Sequence, residues 1–214
     1  MIKEQFQKLI DAAESNDLDA IVQLKNYYIN VYPNEEKENY YHKKAAALHY
    51  APSEYVLGMG YLTGFNGIQI DKKLGVKYIQ AAANDGIADA WFLLGQFHKN
   101  RSLDFIDFNQ KKSDECFEKA AKMGYAMAQL ELGDIYMFRH KEIGRAIFWW
   151  ACAYLHDDEK DEENSKNAKD RLNELAKTGV PGGYQRINTI IEEVKKDYVQ
   201  YTLRPQYIDK RLNK

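Results

Sequence analysis

The sequence predicts an all-α fold, a right-handed solenoid of stacked antiparallel helix pairs, and three observations carry that reading. Residues 82–95, AANDGIADAWFLLG, and residues 120–133, AAKMGYAMAQLELG, agree at seven of fourteen places, 38 residues apart. The same template recurs 37 residues upstream of Ala82 as AAALHYAPSEYVLG, which keeps Ala45, Ala46, Ala51, Leu57 and Gly58, with Ser53 in place of an Ala. A fainter copy, AAESNDLDAIVQLK, keeps Ala12, Ala13, Ala20 and Leu24. A register of this length is the signature of stacked helical repeats, because one helix pair cannot bury its own apolar face whereas a stack can. The expected product is about ten to twelve helices without a strand.

Each copy spans the end of one helix, a tight turn and the start of the next. In DKKLGVKYIQAAANDG, Asp71 is placed to cap a helix on which Leu74, Tyr78, Ile79 and Ala82 recur at helical spacing, and Asn109 takes the same place 38 residues later. Gly86 suits the left-handed residue that ends such a helix. A mid-helix Gly95 costs about 1 kcal/mol against Ala, so it is expected where a partner helix comes close. The Ala-Ala pairs are expected to serve the same close approach from the other helix. Tyr61, Trp91, Phe117 and Tyr136 are expected to fill the gaps between successive pairs.

The ends read as caps. Residues 1–14 form a helix with Ile2, Phe6, Leu9, Ile10 and Ala13 on one face, and residues 18–31 pair with 36–48 around Pro33-Asn34. After the acidic run DDEKDEE, a helix through Ala168, Leu172, Leu175 and Ala176 stops at Gly179, and Pro181-Gly182-Gly183 makes a break. A last amphipathic helix carries Ile187, Ile190, Ile191, Val194 and Tyr198, and the final RPQYIDKRLNK is expected to fray. The domain reading is a single continuous domain: a helical cap with a degenerate repeat (1–44), repeats (45–156), then capping helices and tail (157–214).

Charge and composition narrow the function. The 30 basic and 32 acidic residues are spread over the 214-residue length for a net charge of −2, so no broad basic surface is expected to recruit nucleic acid. MIKEQFQKLIDAAESND lacks the apolar core of a signal peptide, and the chain has no 18-residue apolar run; a cytoplasmic protein without membrane insertion is expected. Cys116 and Cys152 lie outside any CxxC or Cys/His spacing and read as two buried reduced thiols.

The pattern A-x-A-x-x-x-L-G-x-x-Y, followed by a loop and a helix ending in A-A-x-x-G, resembles the Sel-one-like repeat, a relative of the tetratricopeptide repeat. It fits Ala51, Ser53, Leu57, Gly58, Tyr61 and Gly64 with Ala82, Ala83 and Gly86; then Ala88, Ala90, Leu94 and Gly95 with Ala120, Ala121 and Gly124; then Ala126, Ala128, Leu132, Gly133 and Tyr136. RAIFWWACAYLHDDEK resembles the second helix of the third unit. His98 stands at the Tyr position of the second unit, and the loop KNRSLDFIDFNQ lacks the usual Gly. The resemblance implies a tetratricopeptide-like α–α superhelix, in which the first helix of each pair lines a concave face. Counting from the Leu-Gly landmark, that face would hold Tyr55, Met59 and Leu62; Phe92, Gln96 and Lys99; Leu130, Asp134 and Met137.

No catalytic set emerges from spacing. GMGYLTG places its third Gly one residue too late for a dinucleotide fingerprint, and the repeat accounts for Gly58 and Gly64. His42, His49, His98, His140 and His156 form no HxxxH pair, and the acidic run at 157–163 lacks the order of a calcium loop. No cofactor and no metal is therefore expected. The function that follows is a non-catalytic scaffold or adaptor, monomeric or weakly dimeric, binding a protein or peptide on the concave face. The resemblance implies signalling adaptors and immunity partners of secreted toxins; the alternative is an enzyme or metal-dependent module with a site that spacing does not reveal.

Overall fold

In the computed structural model, residues 2–155, 162–178 and 182–202 are described, with side chains from 3 to 196 within those ranges. They form eleven α-helices: α1 (Ile2–Glu14), α2 (Leu18–Asn30), α3 (Glu35–Ala47), α4 (Ala51–Thr63), α5 (Lys72–Asn84), α6 (Ala88–Lys99), α7 (Gln110–Lys122), α8 (Ala126–Asp134), α9 (Ile143–Tyr154), α10 (Glu162–Thr178) and α11 (Gly183–Thr202). No strand occurs among the described residues. The sequence readings for His156, for Asp157, Asp158 and Asp161, for Gly179 and Pro181, and for the tail after 202 lie outside the described residues, as does the side chain of Tyr198.

The repeated letters encode a repeated hydrogen-bonded turn. At Ala12-Ala13, Ala45-Ala46, Ala82-Ala83 and Ala120-Ala121, the first carbonyl accepts from the N–H five residues on and the second from the N–H three residues on, at 2.9–3.2 Å. These are the paired bonds of a Schellman turn, which satisfy carbonyls that the helix end would otherwise orphan. The geometry needs a left-handed residue, and Asn16, His49, Gly86 and Gly124 supply it with φ of 63°, 58°, 107° and 88°. Side chains also cap the start of α2 and of three second helices, though not of α9. Asp17 caps α2, and Asn34, Asp71 and Asn109 cap α3, α5 and α7, each side-chain oxygen accepting from the N–H three residues on at 2.9–3.0 Å.

The landmark glycines pack in a way that corrects the expectation of small residue against small residue. A Cβ on Gly58 would lie 2.7 Å from Ile79 Cδ1, and one on Gly95 would lie 2.6 Å from Phe117 Cε1; one on Gly133 would collide with the Trp150 indole. Each glycine thus receives the large side chain three residues before an alanine of the second helix in its own pair. A large residue can fill the interface only where the facing helix presents no side chain. The residue four before each large one, one helical turn back, is small for a matching reason: Gly75, Ser113 and Ala146 are all buried. Ser113 Oγ donates to the Gly95 carbonyl at 2.9 Å, while a Cβ on Gly75 would lie 2.9 Å from the Gly58 carbonyl oxygen. Tyr61 likewise stacks on Tyr78 of its own pair, with centroids 5.6 Å apart.

The chain clusters into two compact units, residues 1–90 with 104–106, and residues 91–103 with 107–214. In the first unit Ile21, Leu24, Tyr41 and Ala45 form one cluster, and Ala46, Leu57 and Ile68 another, flanked by Tyr61 and Tyr78. In the second, Phe117, Ala120, Leu132 and Ile135 pack with Trp91, Phe92 and Tyr136. A further cluster joins Leu130, Ile147, Trp150, Leu172 and Ile187. The two cysteines are buried in the second unit as free thiols, and burial pushes them up to about 11 for Cys116 and about 12 for Cys152, which keeps both protonated and unreactive. Not every helical glycine packs closely. Gly144, in the first turn of α9, has open space where a Cβ would stand, so Gly144→Ala is expected to raise stability by up to about 1 kcal/mol, checked by chemical denaturation.

Candidate functional site

The nine residues of the predicted face have different neighbours. In the first unit, Tyr55 and Met59 are half-buried on one side of α4, and Leu62 rests on Gly75 of α5, where a Cβ would meet Leu62 Cγ at 2.8 Å. In the second unit, Phe92 packs against Phe117 and Tyr125 with centroids 5.5 and 5.2 Å away. Leu130 is buried, and Met137 packs on its cluster. Asp134 accepts from Trp150 Nε1 at 3.0 Å and from both Arg171 Nε and Nη2 at 2.7 and 2.9 Å. Gln96 and Lys99 line a shallow depression with Phe97, Asn100, Arg101 and Leu103, and Lys99 pairs with Glu131. The structure therefore gives Phe92, Leu130, Asp134 and Met137 internal partners; Tyr55, Met59 and Gln96 remain part-accessible and Lys99 exposed.

Apolar exposure in the first unit gathers along one set of loops. Val31 and Tyr32, in the turn after α2, and Phe65 and Ile70, in the loop after α4, are 56–68% exposed. The first of these loops leads into α3, and the second is hydrogen-bonded to the first half of α3: Asn39 Nδ2 donates to the Asn66 carbonyl, and Asn66 Nδ2 donates to Glu38 Oε1, both at 2.7 Å. Sequence reasoning missed this edge because it followed the landmark helices and treated these loops as connections.

A buried polar network lies behind that edge, where the first repeat departs from the later ones. Lys25 occupies the place of the landmark glycine, and His42 the place of Ile79, Phe117 and Trp150. Both are buried, His42 Nδ1 lies 3.1 Å from Ser53 Oγ, and its Nε2 is 3.7 Å from Glu38 Oε1. Burial, and then the Lys25 charge, push His42 down from 6.5 to about 4, and burial also lowers Lys25. A buried acid sits nearby in sequence: Glu54, beside His49 and Asp85, is pushed up from 4.5 to about 7, first by burial and then by the Asp85 charge.

These two groups pull stability in opposite directions with pH. A carboxyl whose folded value is raised stabilises the fold below about 4.5, and that contribution is lost as pH rises toward about 7. An imidazole whose folded value is depressed stabilises above 6.5 relative to acid, and that contribution is lost as pH falls toward about 4. Between pH 4.5 and 6.5 the two slopes oppose each other. Glu54→Gln is therefore expected to expose a melting temperature that rises with pH across this interval, more steeply than in the parent protein. Thermal melts at half-unit steps check this, and equal slopes would remove Glu54 from the account.

No family model matches the chain. A curated protein, chitin synthase regulatory factor 3 of Schizosaccharomyces pombe, is 26% identical over 136 residues, which is 59% of this chain and 14% of that protein's length. Among solved structures, a Sel1 repeat protein from Oxalobacter formigenes superposes with a TM-score of 0.64 at 22% identity, covering 91% of this chain and 79% of that one. A protective antigen present in uropathogenic Escherichia coli strains, displaying an SLR fold, superposes with a TM-score of 0.63 at 18% identity, covering 98% of this chain and 43% of the antigen. Among the described residues no helix is long and apolar enough to cross a membrane. With the 37- and 38-residue register, the Schellman turns and the glycine landmarks all in place, the chain has the Sel1-like repeat (SLR) fold.

Proposed function

We propose that this protein is a non-catalytic scaffold that binds another protein or peptide, and that in the first unit the docking edge includes Val31, Tyr32, Phe65 and Ile70. The observation that carries the reading is this set of exposed apolar side chains on a repeat fold. Large apolar side chains gathered on one edge mark an interaction surface more often than isolated ones do. Tyr55 and Met59 in the first unit, and Gln96 and Lys99 in the second, are the part of the predicted concave face that would add contacts. A relative named as a regulatory factor is in keeping with a role exerted through binding. The finer proposal is a cytoplasmic adaptor in signalling or an immunity partner of a secreted toxin, with two unreactive buried thiols suited to a reducing compartment.

Photo-crosslinking tests where the partner sits. A benzophenone side chain introduced at position 65 is expected to capture a discrete partner in the source cell, and Phe65→Ser with Val31→Ser to weaken that partner's binding by about tenfold without changing the melting temperature. Capture from position 55 alone would move the docking surface to the α4 face, and capture from neither would overturn both placements.

A further inference from the structure

We propose that His49, Glu54 and Asp85 form a binding site for a divalent first-row cation such as zinc, at the turn between α3 and α4. The three come from three places: His49 from the left-handed residue after α3, Glu54 from the first turn of α4, and Asp85 from the residue that ends α5. One ligand atom from each lies within 4.8 Å of the other two. His49 Nδ1 is 3.6 Å from Glu54 Oε1 and 3.8 Å from Asp85 Oδ2. Two ligands at zinc bond lengths of about 2.0–2.2 Å, spread tetrahedrally, stand roughly 3.4 Å apart, so small movements would bring all three to one ion.

A second observation points to a ligand independently of this convergence. Glu54 is only 3% exposed, and its other oxygen, Oε2, is buried without a hydrogen-bond partner. A carboxylate buried beside a second carboxylate, Asp85, is stabilised by a proton or a cation, and no donor among the described residues reaches that oxygen. The site also has a way in. The His49 side chain is 82% exposed, leaving a fourth position open to water or to a partner's side chain.

The repeat supplies its own control. Aligned on the template, the next equivalent positions are Gly86 for His49, Trp91 for Glu54 and Met123 for Asp85, and none of these is a nitrogen or oxygen ligand. Position 49 is the one turn in the series where a residue other than Gly or Asn adopts the left-handed backbone. Imidazole with two carboxylates suits zinc, manganese or nickel better than a cation that prefers thiolates.

The site deepens nothing in the scaffold reading and stands or falls separately from it. Purified full-length protein, stripped with chelator, is titrated with zinc chloride by calorimetry and with cobalt by visible absorption, alongside thermal melts. One zinc per chain is expected to bind with a rise in melting temperature, and cobalt to give the absorption of an imidazole-carboxylate site. His49→Gly restores the residue the later turns use; its metal-free melting temperature is expected to equal or exceed the parent's, while zinc affinity drops by about tenfold or more and the zinc-dependent rise disappears. Glu54→Gln is expected to lose binding to a similar degree. Zinc that leaves the parent's melting temperature unchanged, or that binds His49→Gly and Glu54→Gln as tightly as the parent, overturns the proposal: the first outcome means a shared proton compensates the two acids, the second an adventitious surface ion.

Discussion

Gly95→Leu is expected to destabilise the protein by about 3 kcal/mol or more, the upper end of what inserted bulk costs in a packed interior. Even the first added carbon would stand 2.6 Å from Phe117 Cε1 and 3.1 Å from its Cζ, and Phe117 is fully buried with no solvent side to retreat toward. For a chain of this size that loss lowers the melting temperature by roughly 6–12 °C. Truncating the neighbour separates this cause from a generic effect of leucine in mid-helix. Phe117→Ala alone costs about 3–5 kcal/mol through the cavity it leaves, yet combined with Gly95→Leu it is expected to recover part of the loss, because the two side chains then share one volume. Strict additivity in the double variant would show that the glycine is not kept for the phenylalanine. Gly133→Leu against Trp150 repeats the experiment one pair further along the chain.

The features legible in the sequence were those written locally and more than once. The Ala-Ala pair, the left-handed residue and the Asp or Asn cap each specify a hydrogen bond within five residues, so the same letters produce the same turn wherever they occur. What was not legible depended on partners far apart in the chain. Arg171 reaches Asp134 across 37 residues, and Asp85 reaches His49 across 36; neither separation has a motif attached to it. The first repeat shows a third kind of illegibility. Lys25 and His42 occupy positions whose apolar counterparts define the pattern, so a template search reads them as a weak match, whereas the structure uses them as a buried polar network tied to Ser53 and Glu38. The helix running from α8 also departs from the template: it winds into a π-turn over Ile135–His140 before Lys141 turns left-handed, leaving Phe138 exposed and Arg139 paired to both Asp114 oxygens at 2.7 and 3.0 Å.

Leu130→Ala is expected to cost about 2–5 kcal/mol, whereas Lys99→Ala should change stability by no more than about 0.5 kcal/mol, although both belong to the same predicted face. Leu130 is 7% exposed and packs among Ile147, Trp150 and Leu172, so its removal leaves a void walled by side chains that α8, α9 and α10 hold in place. Lys99 is exposed, and its pairing with Glu131 is screened by solvent. The pair of variants thus divides the nine positions by physical role. A residue that supports the interior cannot be truncated without unfolding, so loss of binding in Leu130→Ala would say nothing about a docking surface unless the melting temperature were unchanged. Loss of binding in Lys99→Ala, with the fold intact and with a dependence on salt, would place a partner on the second unit, since exposed charges act mainly through steering and partner choice. If Leu130→Ala melts with the parent, the cluster around Trp150 is looser than its burial implies, and Leu130 rejoins Tyr55, Met59, Gln96 and Lys99 as a candidate contact. If it melts early while Lys99→Ala binds normally, the surviving candidates are Gln96 on the second unit and, on the first, Tyr55 and Met59 with the exposed Val31, Tyr32, Phe65 and Ile70.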